Sequence, residues 1–195
     1  RQFKDWLMAD VWTAAFFIEK TETDLNLYPT NLTLEQLREN EKVNEALIER
    51  VLKTADQYHF FHYHLEFPEV FEKGGFDCLL GNPPWERIKV QEKEFFSSKD
   101  PLIASAATKA IRENLIQALK NNNSSLYKEF LNDKHKSELE SNYFRHSEKY
   151  IFGNAGDINV YALFTEVYFN LIKQNGRSGF IVPPGIATDD TYKSF

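Results

Sequence analysis

Cysteine occurs once in these 195 residues, at Cys78. A lone thiol excludes a disulfide framework and fits a reducing, cytoplasmic setting. Long apolar runs are also missing: no stretch approaches the ~20 residues that a bilayer-spanning helix needs, which argues against a membrane protein. Nor is there an excess of basic charge. With 23 Lys and Arg against 29 Asp and Glu, the net charge is −6. The chain as a whole is therefore no clamp for nucleic-acid phosphates, and any basic contact surface must be local or lie outside it. Internal repeats are absent, and the one low-complexity tract is Asn121-Asn122-Asn123. The sequence opens at Arg1 without an initiator methionine or signal peptide and closes just after a strand-and-loop pattern. It reads as part of a larger protein. What it has in quantity is aromatic residues, with 17 Phe, 9 Tyr and 3 Trp, a composition for a packed core rather than disorder.

Apolar periodicity predicts a helix over residues 3–19, with Phe3, Trp6, Leu7, Val11, Ala14, Phe17 and Ile18 on one face. A polar loop over 21–33 holds Pro29. Thr33 and Gln36 form a candidate capping box. It would open a helix over 34–57 whose face is Leu34, Leu37, Val43, Leu47, Val51 and Leu52. Residues 58–75 are aromatic and irregular. Phe76 to Leu80 has the length and composition of a buried strand. Residues 86–150 carry helical periodicity and no strand signal, with breaks at Lys99-Asp100-Pro101 and at the three asparagines. They read as a helical insert over the mouth of a site, and as the most mobile part of the chain. A Gly/Asn/Asp loop over 151–158 precedes a helix over 159–174, which Asn175-Gly176 ends. Ser178 to Val182 then reads as a second buried strand. The order of strand, helices, helix and strand fits part of a parallel α/β sheet. The expected divisions are a helical lead-in over 1–70, a partial core over 71–90 and 151–195, and the insert over 86–150.

The most informative stretch is Phe76-Asp77-Cys78-Leu79-Leu80-Gly81-Asn82-Pro83-Pro84-Trp85. A stiff tetrapeptide follows the strand at its C-terminal end, where open α/β sheets place their ligand sites. Asn82 offers an amide oxygen, and Pro83 offers a carbonyl with no N–H beside it. The two prolines fix φ near −65° and hold the acceptors in one geometry. Trp85 adds a flat apolar face. Rigid acceptors beside an aromatic plate suit a planar substrate with an exocyclic amino group, such as a nucleobase. The competing reading is a proline-rich turn with a core tryptophan.

Other clusters carry less. His59, His62 and His64 lack a cysteine neighbour and zinc-site spacing. Flanked by Tyr58, Phe60, Phe61 and Tyr63, they read as packing, so no metal is expected. Gly153 and Gly156 are weak as a phosphate loop and stronger as a turn before a helix. Asp189 and Asp190 fit a site lining or a solvated turn equally. Lys128, Lys134, Lys136, Arg145 and Lys149, mixed with Tyr127, Tyr143 and Phe144, offer a DNA-facing surface. A solvated helix face is the favoured reading there.

Asn82-Pro83-Pro84-Trp85 after its apolar strand resembles the catalytic motif of AdoMet-dependent amino-methyltransferases, above all the DNA adenine-N6 methylases. Leu65-Glu66-Phe67-Pro68-Glu69-Val70-Phe71 resembles the lead-in of type IIG restriction–modification methylases and their phage-defence relatives. Asp157 to Phe164 resembles the helix behind the site in that family, and Gly179 to Asp190 its next core strand and loop. The resemblance covers roughly residues 58–96 and 145–195. It implies part of a class I, Rossmann-like methyltransferase sheet, S-adenosyl-L-methionine as cofactor, and double-stranded DNA with a flipped adenine as partner. It implies Asn82, Pro83, Pro84 and Trp85 as the catalytic residues. Cys78 has no role in that chemistry. The family's glycine-rich cofactor loop and its acidic ribose ligand have no counterpart among these residues, so an isolated fragment is expected to be inactive. Cytosine N4, an RNA guanine or a protein glutamine are alternative targets of the same tetrapeptide, and a non-catalytic nucleic-acid-binding module is the alternative from another class.

Overall fold

A computed structural model describes residues 2–193 and 195. In chain order its elements are α1 (Gln2–Ala14), a 3₁₀ turn (Glu22–Leu27), α2 (Asn31–Arg38), α3 (Glu45–Tyr58), α4 (Tyr63–Glu66), α5 (Pro68–Phe71), β1 (Phe76–Gly81), α6 (Glu92–Ser97), α7 (Pro101–Ala104), α8 (Lys109–Asn122), α9 (Ser124–His146), α10 (Val160–Leu171), β2 (Ile172–Phe180), α11 (Gly185–Thr188) and a closing 3₁₀ turn (Asp190–Tyr192). The chain divides into two units. One holds residues 1–81 and 167–180, the other 82–166 and 181–195.

In the first unit, Leu7, Val11, Ala14 and Ile18 recur at helical spacing and bury against Leu47 and Val51 of α3. Each leucine, valine or isoleucine among them contributes ~1.5–3 kcal/mol on full burial. Phe3 and Leu52, placed on the same faces by periodicity, are exposed. The helix expected over 34–57 is two helices, because residues 39–44 leave helical geometry. Asn40 there takes a left-handed φ of 59°, which asparagine tolerates better than most residues. The side chain of Asn44 then caps α3 by accepting the Ala46 N–H. The capping box also lies three residues earlier than expected. Thr30, not Thr33, has the extended backbone of an N-cap, and Thr33 Oγ1 accepts the Thr30 N–H at 3.2 Å.

The histidines are not a packed core group: His59 is the exposed, left-handed C-cap of α3, and His64 is exposed as well. His62 Nε2 lies 2.8 Å from Asp10 Oδ1 and edge-on to Trp6, while His64 stacks on Phe71. Among the described residues, no group of three or more His, Cys, Asp or Glu converges as a metal site.

β1 and β2 pair in parallel, with Leu80 opposite Gly179 and Gly81 opposite Phe180. β2 starts at Ile172, so α10 ends earlier than expected and Asn175-Gly176 falls inside the strand. There the register jumps between Phe76↔Ile172 and Cys78↔Arg177, a bulge. Asn175 takes a φ of 71°, and a Cβ on Gly176 would lie 2.5 Å from the Ile172 side chain. Tyr168 of α10 lies so close over Gly81 that a Cβ there would overlap its hydroxyl. Alternation along the strand turns Cys78 and Leu80 to the opposite face. The expectation of two buried strands with a buried Cys78 fails: every residue of both strands is half-buried or exposed. Cys78 is exposed, Leu80 is 79% exposed, and Ile181 just past β2 is exposed too. A two-stranded sheet leaves every strand with a free edge.

In the second unit, α6 to α9 enclose Phe96, Ile103, Ile116, Leu119, Leu126 and Phe130. The breaks seen in the sequence are caps. Asp100 accepts the Leu102 and Ile103 N–H groups to open α7, and Asn123 accepts the Leu126 N–H to open α9. Helix begins at residue 92 rather than 86. A smaller cluster of Tyr161, Ala162 and Tyr192, with Val182 and Ile186 packed on it, lies where α10 begins. No helix among the described residues is long and apolar enough to cross a membrane.

Candidate catalytic site

Asn82-Pro83-Pro84-Trp85 leaves β1 as a segment that is neither helix nor strand, and no peptide bond among the described residues is cis. Pro83 is buried, whereas Asn82, Pro84 and Trp85 are exposed. The Asn82 amide makes no hydrogen bond to any described residue, so its oxygen is free to accept from a ligand. Trp85 is 57% exposed, and its indole N–H donates to the Ile181 carbonyl at 3.3 Å. The ring is thus tethered at its polar edge while more than half of the residue stays in solvent, as a stacking plate requires.

The segment after the motif is fixed by backbone pairing. Ile88 N–H donates to the Ile158 carbonyl and Val160 N–H to the Glu86 carbonyl, both at 2.9 Å. Arg87 and Asn159 form the antiparallel bridge between these stretches. The Arg87 guanidinium also meets Asp157 at 3.3 Å. Both side chains are exposed, so this pair adds only ~0–1 kcal/mol and serves orientation more than stability. Asn159 Nδ2 donates to the Tyr192 hydroxyl at 2.7 Å.

Two hollows flank this segment. One of about 520 Å³ is lined by Trp85, Arg87, Lys89, Gln91, Glu94, Phe95 and Asp133. The other, of about 340 Å³, lies against α9 and has an apolar floor of Ile88, Val90, Phe130 and Ile158. Its rim carries Arg87, Lys89, Lys134 and Arg145 beside Glu92, Glu138 and Asp157. Charge there is nearly balanced: Glu92 meets Arg112 at 2.7 Å and Lys134 meets Glu138 at 3.9 Å.

Burial pushes the Tyr161 hydroxyl up to about 12, and its hydrogen bond with Tyr192 adds to the rise. It is a neutral phenol at physiological pH. Asp189 is no free acid beside the motif: it caps the closing 3₁₀ turn, and the Thr191 N–H holds its carboxyl below the usual range. Gly153 presses on α10 and Gly156 takes a φ of 56°, so this pair builds a turn before a helix.

The resemblance implies S-adenosyl-L-methionine, and the described glycines bear on one part of its usual site, the glycine-rich cradle. Gly74 and Gly75 precede β1, Gly176 and Gly179 lie inside β2, and Gly185 opens α11. None of these makes a glycine-rich turn from a strand into a helix, the usual cradle for a nucleoside cofactor.

Sequence reasoning missed three supports of the motif: the 86–88 bridge, the Ile181 carbonyl under the Trp85 N–H, and Glu166. The last had a legible signal, a single acid in the otherwise uncharged helix Val160–Leu171.

No curated protein and no solved structure matches the chain. One family model does, over residues 10–136, a span that contains the Asn82–Trp85 motif and reaches into α9. That span exceeds half of the sequence. The chain belongs to the Eco57I restriction-modification methylase family.

Proposed function

We propose that this chain carries the amino-group site of a site-specific DNA methyltransferase that methylates adenine at N6, in a restriction–modification or phage-defence system. The observation that carries the reading is the presentation of Asn82 and Trp85 together. Both are exposed on a proline-stiffened segment, with a free amide on one and an exposed indole on the other, in a member of a restriction-modification methylase family.

The target adenine leaves the duplex, at a cost of a few kcal/mol in unstacking. Trp85 stacks on it. The Asn82 Oδ1 and the Pro83 carbonyl accept hydrogen bonds from the N6 amino group, orient its lone pair and stabilise the positive charge that develops on nitrogen. No covalent intermediate on the protein is required, and Cys78 takes no part. S-adenosyl-L-methionine would supply the methyl group and leave as the neutral thioether, and the cationic N6 would lose its extra proton to solvent.

The test is incorporation of labelled methyl groups into DNA by the full-length protein, followed by digestion to nucleosides. N6-methyladenine is the expected product. N4-methylcytosine would move the target to the other exocyclic amine, and no incorporation would favour a binding module.

A further inference from the structure

Glu166 is buried, with 2% of its surface exposed, and no lysine, arginine or histidine pairs with it among the described residues. Its carboxylate instead accepts three consecutive backbone N–H groups, from Ile151, Phe152 and Gly153, the last at 2.9 Å. A buried carboxylate without a cation is costly unless hydrogen-bonded, and successive N–H groups make a concave anion site. Here that site is filled by the protein's own side chain.

We propose that Glu166 is a positioning residue for the methyl-transfer site, which rests on the function proposed above. Glu166 is joined to the segment after the motif through the loop 151–160, which is hydrogen-bonded at both ends. The carboxylate fixes residues 151–153, and a Cβ on Gly153 would lie 3.1 Å from the Leu163 nitrogen, so this stretch is pressed onto α10. Arg145 holds the rest of the loop, donating to the Asn154 carbonyl at 2.8 Å and the Gly156 carbonyl at 2.6 Å. The loop ends in Asp157 to Val160, the stretch that pairs with Glu86 to Ile88, directly after Trp85. Releasing the carboxylate frees the backbone that follows the motif, while Trp85 keeps its own tether to the Ile181 carbonyl, so stacking on the base is retained and alignment of the acceptors is lost.

The experiment uses the full-length protein with Glu166→Gln, which keeps the size but turns an NH₂ group toward N–H donors. Backbone hydrogen exchange and steady-state methylation are measured together. Expected is an exchange rate at residues 86–90 that rises about tenfold. A kcat lower by roughly 10-fold to 100-fold is expected with it, and a KM for DNA within about twofold of wild type. A purely structural role would lower stability without that split. Unchanged exchange at 86–90 overturns the proposal, as does faster exchange with unchanged kcat, or a raised KM alone. If Glu166→Gln does not fold, Arg145→Met releases the loop from its exposed end and is judged by the same readouts. If the wild-type protein transfers no methyl to DNA, the proposed function fails, and exchange at 86–90 alone then decides whether Glu166 governs that segment.

Discussion

β1 runs into Asn82-Pro83-Pro84-Trp85 and residues 86–88 leave it, yet the two stretches are held by different means. β1 has one strand neighbour, β2, and leaves Cys78 and Leu80 in solvent. Residues 86–88 pair with a loop anchored by a buried carboxylate and an arginine. The first stretch is apolar and exposed, the second polar in composition and fixed. Side-chain hydrophobicity therefore does not mark the firmer support of the motif; the destination of its backbone N–H and C=O groups does.

The largest effect that separates well-packed from open ground is on stability. Phe96 is fully buried among Ile103, Ile116 and Phe130. Phe96→Ala should destabilise the chain by ~3–5 kcal/mol in urea denaturation, and a loss under ~1 kcal/mol would mean that this helical cluster is not a core. Next comes the plate itself. Trp85→Ala should weaken engagement of the flipped base by ~1–3 kcal/mol, read as the change in affinity for DNA with a mismatched target, whereas Trp85→Phe keeps a ring face and should stay near wild type. Smaller still is the open strand. Leu80→Thr should change the stability of this chain by no more than ~0.5 kcal/mol, and a shift of several times that would show the Leu80 face to be covered. The smallest effect is a null one. Titration calorimetry of this chain with AdoMet should give no binding tighter than about millimolar, and a micromolar dissociation constant would show that the chain holds the donor without a glycine-rich cradle.

The parallel pairing of two strands across intervening helices was legible in the sequence, because short apolar runs bounded by glycine and helical periodicity are local signals. So were the breaks at Asp100 and Asn123, whose side chains cap helices. Burial was not legible. Leu79 and Leu80 are alike in sequence, and only the number of strands and the position of Tyr168 decide which faces solvent. The end of α10 was misplaced because Asn175-Gly176 serves equally as a helix stop or as a strand bulge, and local chemistry does not choose between them. The stretch 86–150 contains the fully buried Phe96, since pairing of its helix faces is a tertiary matter. Within the candidate site, Asn82 to Trp85 stood out by composition. Their supports join residues distant in sequence, as in the Trp85–Ile181 and Arg87–Asp157 contacts, and no local pattern announces them.

The central claim is that Asn82 acts on the transferred amino group. The most direct test compares Asn82→Ala with wild type in the full-length protein, measuring methyl incorporation into plasmid DNA from labelled AdoMet beside a DNA gel shift. The account predicts that turnover falls by roughly 10²–10³, a loss of ~2.7–4 kcal/mol of charge stabilisation, while DNA affinity is largely kept. Wild-type turnover in Asn82→Ala would contradict it, and a nucleic-acid-binding module would then be the better reading of the chain.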